Sequence, residues 1–152
     1  MAIIDKNMNA EKRKIVVAVS GGFDPLHIGH IDMINEAKAL GNELVVILNN
    51  DNWLRKKKGY VFMPQNERKE IMEALRAVDR VILSEHKPDD EDKSVCRELR
   101  KLKPDIFANG GDRKPDGDPV PEVDLCDELG IKMIYKVGKR GKIQSSSWLV
   151  KK

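Results

Sequence analysis

Five short apolar runs, separated by stretches of helical periodicity, constrain the fold of this chain more than any other feature. Residues 15–20, Ile-Val-Val-Ala-Val-Ser, are apolar and rich in β-branched side chains, as a strand buried on both faces of a parallel sheet requires. Residues 28–40 then carry apolar side chains at helical spacing and stop before Gly41, a helix-ending glycine by position. The same alternation continues with strands expected at 43–48, 80–83, 106–108 and 132–137, and helices at 66–77, 90–101 and 121–129. Strand, helix and strand repeated in this way imply right-handed crossovers and a parallel sheet with helices on both faces. Such a sheet binds ligands outside the carboxyl ends of its strands, near the point where strand order reverses.

At 152 residues the chain is the size of one domain, and we expect residues 1–13 to form a flexible tail ahead of a single domain at 14–152. A net charge of +3 with 35% charged residues gives no reason to expect a nucleic-acid partner. No apolar run approaches the ~20 residues of a membrane span, and the charged first residues lack a signal-peptide core, so no membrane partner and a cytoplasmic location are expected. Cys96 and Cys126 have no metal-ligand spacing and read as buried thiols.

The chemistry concentrates in Gly21-Gly22-Phe23-Asp24-Pro25-Leu26-His27-Ile28-Gly29-His30, between the first strand and the first helix. Gly21 and Gly22 allow a close approach of backbone N–H groups to an anion. Asp24 can cap the helix, and Pro25 suits its first turn. His27 and His30 are three residues apart, which puts both imidazoles on one helix face near the positive end of the dipole. Gly29 between them costs roughly 1 kcal/mol against alanine, which is understandable if something large lies against the backbone there. The set reads as a nucleotide-phosphate site in an α/β domain.

This segment resembles the G-x-F-D-x-x-H-x-G-H signature of the cytidylyltransferase-like nucleotidyltransferases, of the glycerol-3-phosphate cytidylyltransferase and heptose-1-phosphate adenylyltransferase type. His-Ile-Gly-His is also the signature tetrapeptide of class I aminoacyl-tRNA synthetases, but this chain is too short for a synthetase with an anticodon-binding module. The resemblance spans residues 14–150 and implies a Rossmann-like three-layer α/β sandwich with a five-stranded parallel sheet.

Further segments take roles from the same resemblance. Arg55-Lys56-Lys57-Lys58 reads as a basic loop able to neutralise a triphosphate, and Lys57 and Lys58 both fall near the family's phosphate-binding lysine. Asp51 matches an acidic residue lining the acceptor site, and Arg68, behind an Asn66 helix cap, matches an arginine gripping the acceptor's phosphate. Asn109, Gly110, Gly111 and Asp112 follow the fourth strand where the family contacts ribose or base, although Arg113 and residues 114–119 depart from the heptose-phosphate pattern. Ser145, Ser146 and Ser147 stand for the family's second motif, whose hydroxyls and N–H groups hold the β- and γ-phosphates. Gln144 replaces its isoleucine and Val150 its arginine, so a cation from this end would be Arg140, Lys139 or Lys142. Trp148-Leu149-Val150 indicates a packed, helix-like end.

The activity implied is transfer of CMP or AMP from CTP or ATP to a phosphorylated small molecule with release of pyrophosphate, a sugar or polyol phosphate being the first expectation. An FAD synthetase, a phosphopantetheine-type adenylyltransferase and a non-catalytic nucleotide-binding module are the alternatives. His27, His30 and Lys57 or Lys58 would act on the phosphates, Gly21 to Phe23 would supply backbone donors, and Mg²⁺ would be held through the nucleotide with few or no protein ligands. Homodimers are common among the proteins it resembles.

Overall fold

The computed structural model describes residues 13–110, 121–138 and 146–150. In chain order they form β1 (Val16–Gly21), α1 (Ile28–Lys38), β2 (Glu43–Leu48), α2 (Asp51–Lys58), α3 (Gln65–Glu73), β3 (Arg80–Leu83), α4 (Cys96–Leu102), β4 (Ile106–Gly110), α5 (Pro121–Leu129), β5 (Lys132–Val137) and α6 (Ser146–Val150). All five strands are parallel and lie in the order β3-β2-β1-β4-β5. The chain therefore builds outward from β1 to β3 and then crosses back to lay β4 on the other side of β1. Strand order reverses between β1 and β4, and the crevice at their carboxyl ends is where such sheets bind ligands.

The two sheet faces are filled by alternate residues of the same strands, as the period-2 geometry of a strand demands. Val17, Val19, Leu44, Val46 and Leu48 face one side, where they pack with Ile34 and Ala37 of α1 and Met72 of α3. Ala18, Ile47 and Phe107 face the other, against Cys96 and Leu99 of α4 and Leu125 and Cys126 of α5. Each fully buried aliphatic side chain in these two cores contributes about 1.5–3 kcal/mol. The near-continuous apolar runs seen in the sequence are thus explained by helices on both faces, and the Rossmann-like three-layer sandwich is the observed fold. Among the described residues, no helix is long and apolar enough to cross a membrane.

Several boundaries move. The helix expected at 90–101 is Cys96–Leu102, because Asp90 and Asp92 cap turns by accepting from Lys87 N and Ser94 N instead of joining the helix. The helix expected at 66–77 is Gln65–Glu73, with Pro64 and not Asn66 at its N-cap position. Gly41 lies beyond the C-cap Ala39; it is needed because a Cβ there would stand 2.6 Å from the Ile15 carbonyl oxygen. Arg13, placed in the expected tail, pairs with Asp105 at 3.0 Å.

Candidate active site

The turn from β1 into α1 is held by its own side chains. His27 is the N-cap of α1: its Nδ1 accepts from Gly29 N at 3.1 Å, and His30 Nδ1 accepts in return from His27 N at 3.3 Å. This is a reciprocal cap of the kind serine and glutamate usually make, built here from two imidazoles. The rings stack with centroids 3.7 Å apart, and Phe23 meets His30 edge-on at 4.7 Å. Because both Nδ1 atoms accept, each neutral ring carries its proton on Nε2. The helix start therefore presents two imidazole N–H donors beside its positive dipole end, an arrangement suited to phosphate oxygens.

Burial pushes the His30 pKa down from 6.5 to about 3, helped by the charges of His27 and Lys58. His27 is lowered as well, by burial and by Lys58. Both rings are neutral at physiological pH, as the capping geometry requires. The unfolded chain binds a proton at His30 below pH 6.5 that the folded chain refuses until about pH 3, so stability falls as pH drops through that window. We predict that His30 alone removes about 2 kcal/mol of stability between pH 7.5 and pH 5. Urea unfolding of wild type and His30→Gln at both pH values measures it; equal acid losses in the two proteins would refute the prediction.

Two expectations for this turn are corrected. Asp24 does not cap the helix; its buried carboxylate accepts from Phe62 N at 2.7 Å and Met63 N at 2.6 Å, tying the segment after α2 to the turn. With each oxygen accepting from a backbone donor, Asp24 braces the turn. Pro25 precedes the helix rather than entering it. Neither Gly21 nor Gly22 has positive φ; Phe23 does, at 50°, and its ring folds back so that a Cβ on Gly21 would stand 3.1 Å from it. A Cβ on Gly22 would stand 3.0 Å from Leu54 and 3.2 Å from Trp53. The glycine pair is demanded by close packing of aromatic and apolar side chains.

Arg68 is bonded into the protein itself. Its side chain is fully buried and makes four hydrogen bonds: Nε to Met63 O at 2.8 Å, Nη1 to Gly22 O at 2.8 Å and Asn49 O at 2.6 Å, and Nη2 to Asp51 Oδ1 at 2.7 Å. Four of the five guanidinium N–H groups are used in this way, and the side chain joins the ends of β1 and β2, the start of α2 and the segment before α3. Asp51, 20% exposed, has Oδ1 committed to Arg68 and lies at the rim of the crevice.

Lys57 and Lys58 lie in the last turn of helix α2, not on a loop. Four cations end this helix, where they complement the negative dipole end, and Gly59 closes it at φ 86°. The two lysines differ in surroundings: Lys57 Nζ lies 6.0 Å from the Trp53 ring centroid, whereas the Lys58 charge acts on both imidazoles.

At the opposite edge of the turn, Ser146 Oγ donates to Pro25 O at 2.7 Å, bringing α6 against the histidine segment across 121 residues of sequence. Asn109, at the end of β4, donates from Nδ2 to Phe107 O at 3.2 Å, and Gly110 ends the strand beside Met33. Gly111, Asp112, Arg113, Lys139, Arg140, Lys142 and Ser145, and the side chain of Ser147, lie outside the described residues. Sequence reasoning missed a polar cluster under α2. Asn50 caps this helix through Trp53 N and donates to the carbonyls of Ser84 and His86, while buried His86 bonds Ser84 Oγ and Ser94 O. The Asn-Asn-Asp-Asn run ahead of a helix was its visible trace.

These features, a parallel sheet with a histidine-capped helix at its switch point, have counterparts among known proteins. The sequence model of the family described as Cytidylyltransferase-like matches residues 18–144. The chain belongs to this family and is a nucleotidyltransferase. An FAD synthase of Pyrococcus abyssi is 42% identical over 106 residues, 68% of this chain and 68% of that protein. An FAD synthase of Thermoplasma acidophilum is 36% identical over 141 residues, 90% of this chain and 92% of that protein. Among solved structures, the lipopolysaccharide core biosynthesis protein from Thermoplasma volcanium GSS1 superposes with a TM-score of 0.66 at 30% identity, covering 83% of this chain and 98% of that one. An enzyme family and enzyme relatives set aside the non-catalytic module. The relatives' names favour the FAD synthetase alternative over the sugar or polyol phosphate first expected.

Proposed function

We propose that this enzyme transfers AMP from ATP to FMN, forming FAD and pyrophosphate. The acceptor comes from relatives named FAD synthase, one of them matched over nine-tenths of this chain. The chemistry rests on one observation, the pair of stacked imidazoles whose Nδ1 atoms are both occupied by backbone donors. In the reaction an FMN phosphate oxygen attacks the α-phosphorus of ATP, the bond from that phosphorus to the β-phosphate bridging oxygen breaks, and pyrophosphate leaves. The His27 and His30 Nε2–H groups donate to phosphate oxygens as negative charge moves onto the leaving group, and neither has to accept a proton. Lys58 adds positive charge on the same side, which favours it over Lys57 for this task.

The topology suggests how the substrates divide the crevice. ATP occupies the side bounded by β4 and α6, where Asn109, Gly110 and Ser146 lie, and the acceptor occupies the side bounded by β2 and α2, with Asp51 at its rim. Mg²⁺ carried on the triphosphate would neutralise it and orient the leaving group.

FAD formation from ATP and FMN, with pyrophosphate release measured in parallel, tests the reading. The expected result is FAD with ATP and none with CTP. A second reading, adenylyl or cytidylyl transfer to a sugar phosphate, draws on the structural neighbour from Thermoplasma volcanium. Pyrophosphate release with heptose 1-phosphate and none with FMN would establish it instead.

A further inference from the structure

Large apolar side chains are left exposed in an uneven way. Of the seven among the described residues, four lie on segments that border the histidine turn: Ile28, Tyr60, Phe62 and Leu149. Tyr60 and Phe62, 43% and 55% exposed, belong to the segment between α2 and α3. Their backbone is not loose. The N–H of Phe62 and that of Met63 are held by the Asp24 carboxylate, and the Met63 carbonyl is held by Arg68. A buried carboxylate and a buried guanidinium thus fix the backbone at Phe62 and Met63, and the rings of Phe62 and of Tyr60, two residues before it, remain about half in water.

Exposed aromatic rings on a fixed backbone lose little freedom when they meet a flat ligand, having only two side-chain torsions each. Resting on the reading of FMN as acceptor, we infer that Tyr60 and Phe62 form the platform on which the isoalloxazine ring stacks. Reach fits this assignment: Asp24 anchors Phe62, and the three residues from Asp24 to His27 span at most about 11 Å. That bound keeps the two side chains within reach of an FMN whose phosphate lies at the imidazoles, with the ribityl chain between phosphate and ring. The segment joins α2 to α3, the two helices that lie between β2 and β3 in the chain, on the same half of the sheet as the proposed acceptor side. A sugar phosphate has no flat apolar ring to cover these two side chains, so the platform also distinguishes the two acceptor classes.

The experiment is steady-state kinetics with ATP and FMN for wild type, Tyr60→Ala, Phe62→Ala, the double variant and Phe62→Trp, with FMN fluorescence titrated in parallel. The expected result is a tenfold or greater rise in the KM for FMN in each alanine variant. The KM for ATP should stay within twofold and the melting temperature should hold, because both side chains are exposed. Phe62→Trp should restore FMN affinity, and the quenching of flavin emission on binding should weaken in the double variant. Unchanged KM for FMN in enzymes that make FAD overturns the platform alone. A rise in the KM for ATP instead would assign the rings to the nucleotide base, and a change of oligomeric state at unchanged KM would assign them to an interface between copies; either overturns the inference. A wild-type enzyme that makes no FAD overturns the acceptor reading and the platform together.

Discussion

Arg68→Ala lowers the unfolding free energy by about 3–5 kcal/mol, the loss expected when one partner of a buried, hydrogen-bonded ion pair is removed. The substitution takes four bonds at once and leaves the carbonyls of Gly22, Asn49 and Met63 and one oxygen of Asp51 without their donor. Against a domain stability of about 5–15 kcal/mol, that brings much of the protein to the edge of unfolding at room temperature. Arg68→Lys recovers little, because an ammonium is a compact point donor that cannot span acceptors on three separate segments. Urea denaturation reads the effect directly. A midpoint shift equivalent to less than about 1 kcal/mol would mean the guanidinium is replaceable by water and is free to serve a ligand.

His30→Ala lowers turnover at saturating ATP and FMN by about 100-fold or more, or at least 2.7 kcal/mol of transition-state stabilisation, as for other preorganised donors to developing negative charge. The protein remains folded: the substitution removes one acceptor for His27 N, about 1 kcal/mol by analogy with other caps, together with the ring's contacts to His27 and Phe23. FAD formation by rapid quench, with far-ultraviolet circular dichroism as the control for folding, separates the two effects. Turnover within tenfold of wild type would remove the imidazole from the chemistry and leave it only as a cap.

Sequence periodicity made the sheet legible because strands buried on both faces must be apolar along their length. Four of the five expected strands, at 43–48, 80–83, 106–108 and 132–137, lie within or match observed ones, and β1 is displaced by one residue. The helix start expected at residue 90 was misread, since turns such as Asp90 to Ser94 satisfy backbone donors without continuing into helix and look helical in composition. The histidine pair was legible because a spacing of three is a local property that an N-cap and its N3 residue share with two residues on one helix face. Its capping was not, since serine, threonine, aspartate and asparagine are the usual caps and Asp24 offered itself nearby.

Residue type and spacing by themselves determined the sandwich, the switch-point site and the pairing of His27 with His30. The first two follow from hydrophobic period and the third from the spacing of an N-cap and its N3 residue, and both patterns are set over a few neighbouring residues. Only the tertiary structure decided that Arg68 and Asp24 tie together the segments around the site, that Lys58 stands near the imidazoles while Lys57 lies by Trp53, and that Ser146 reaches the β1–α1 turn. Each depends on which segments the crossovers bring within about 3 Å of one another. A charged side chain looks the same in sequence whether it meets a ligand in water or four buried protein acceptors.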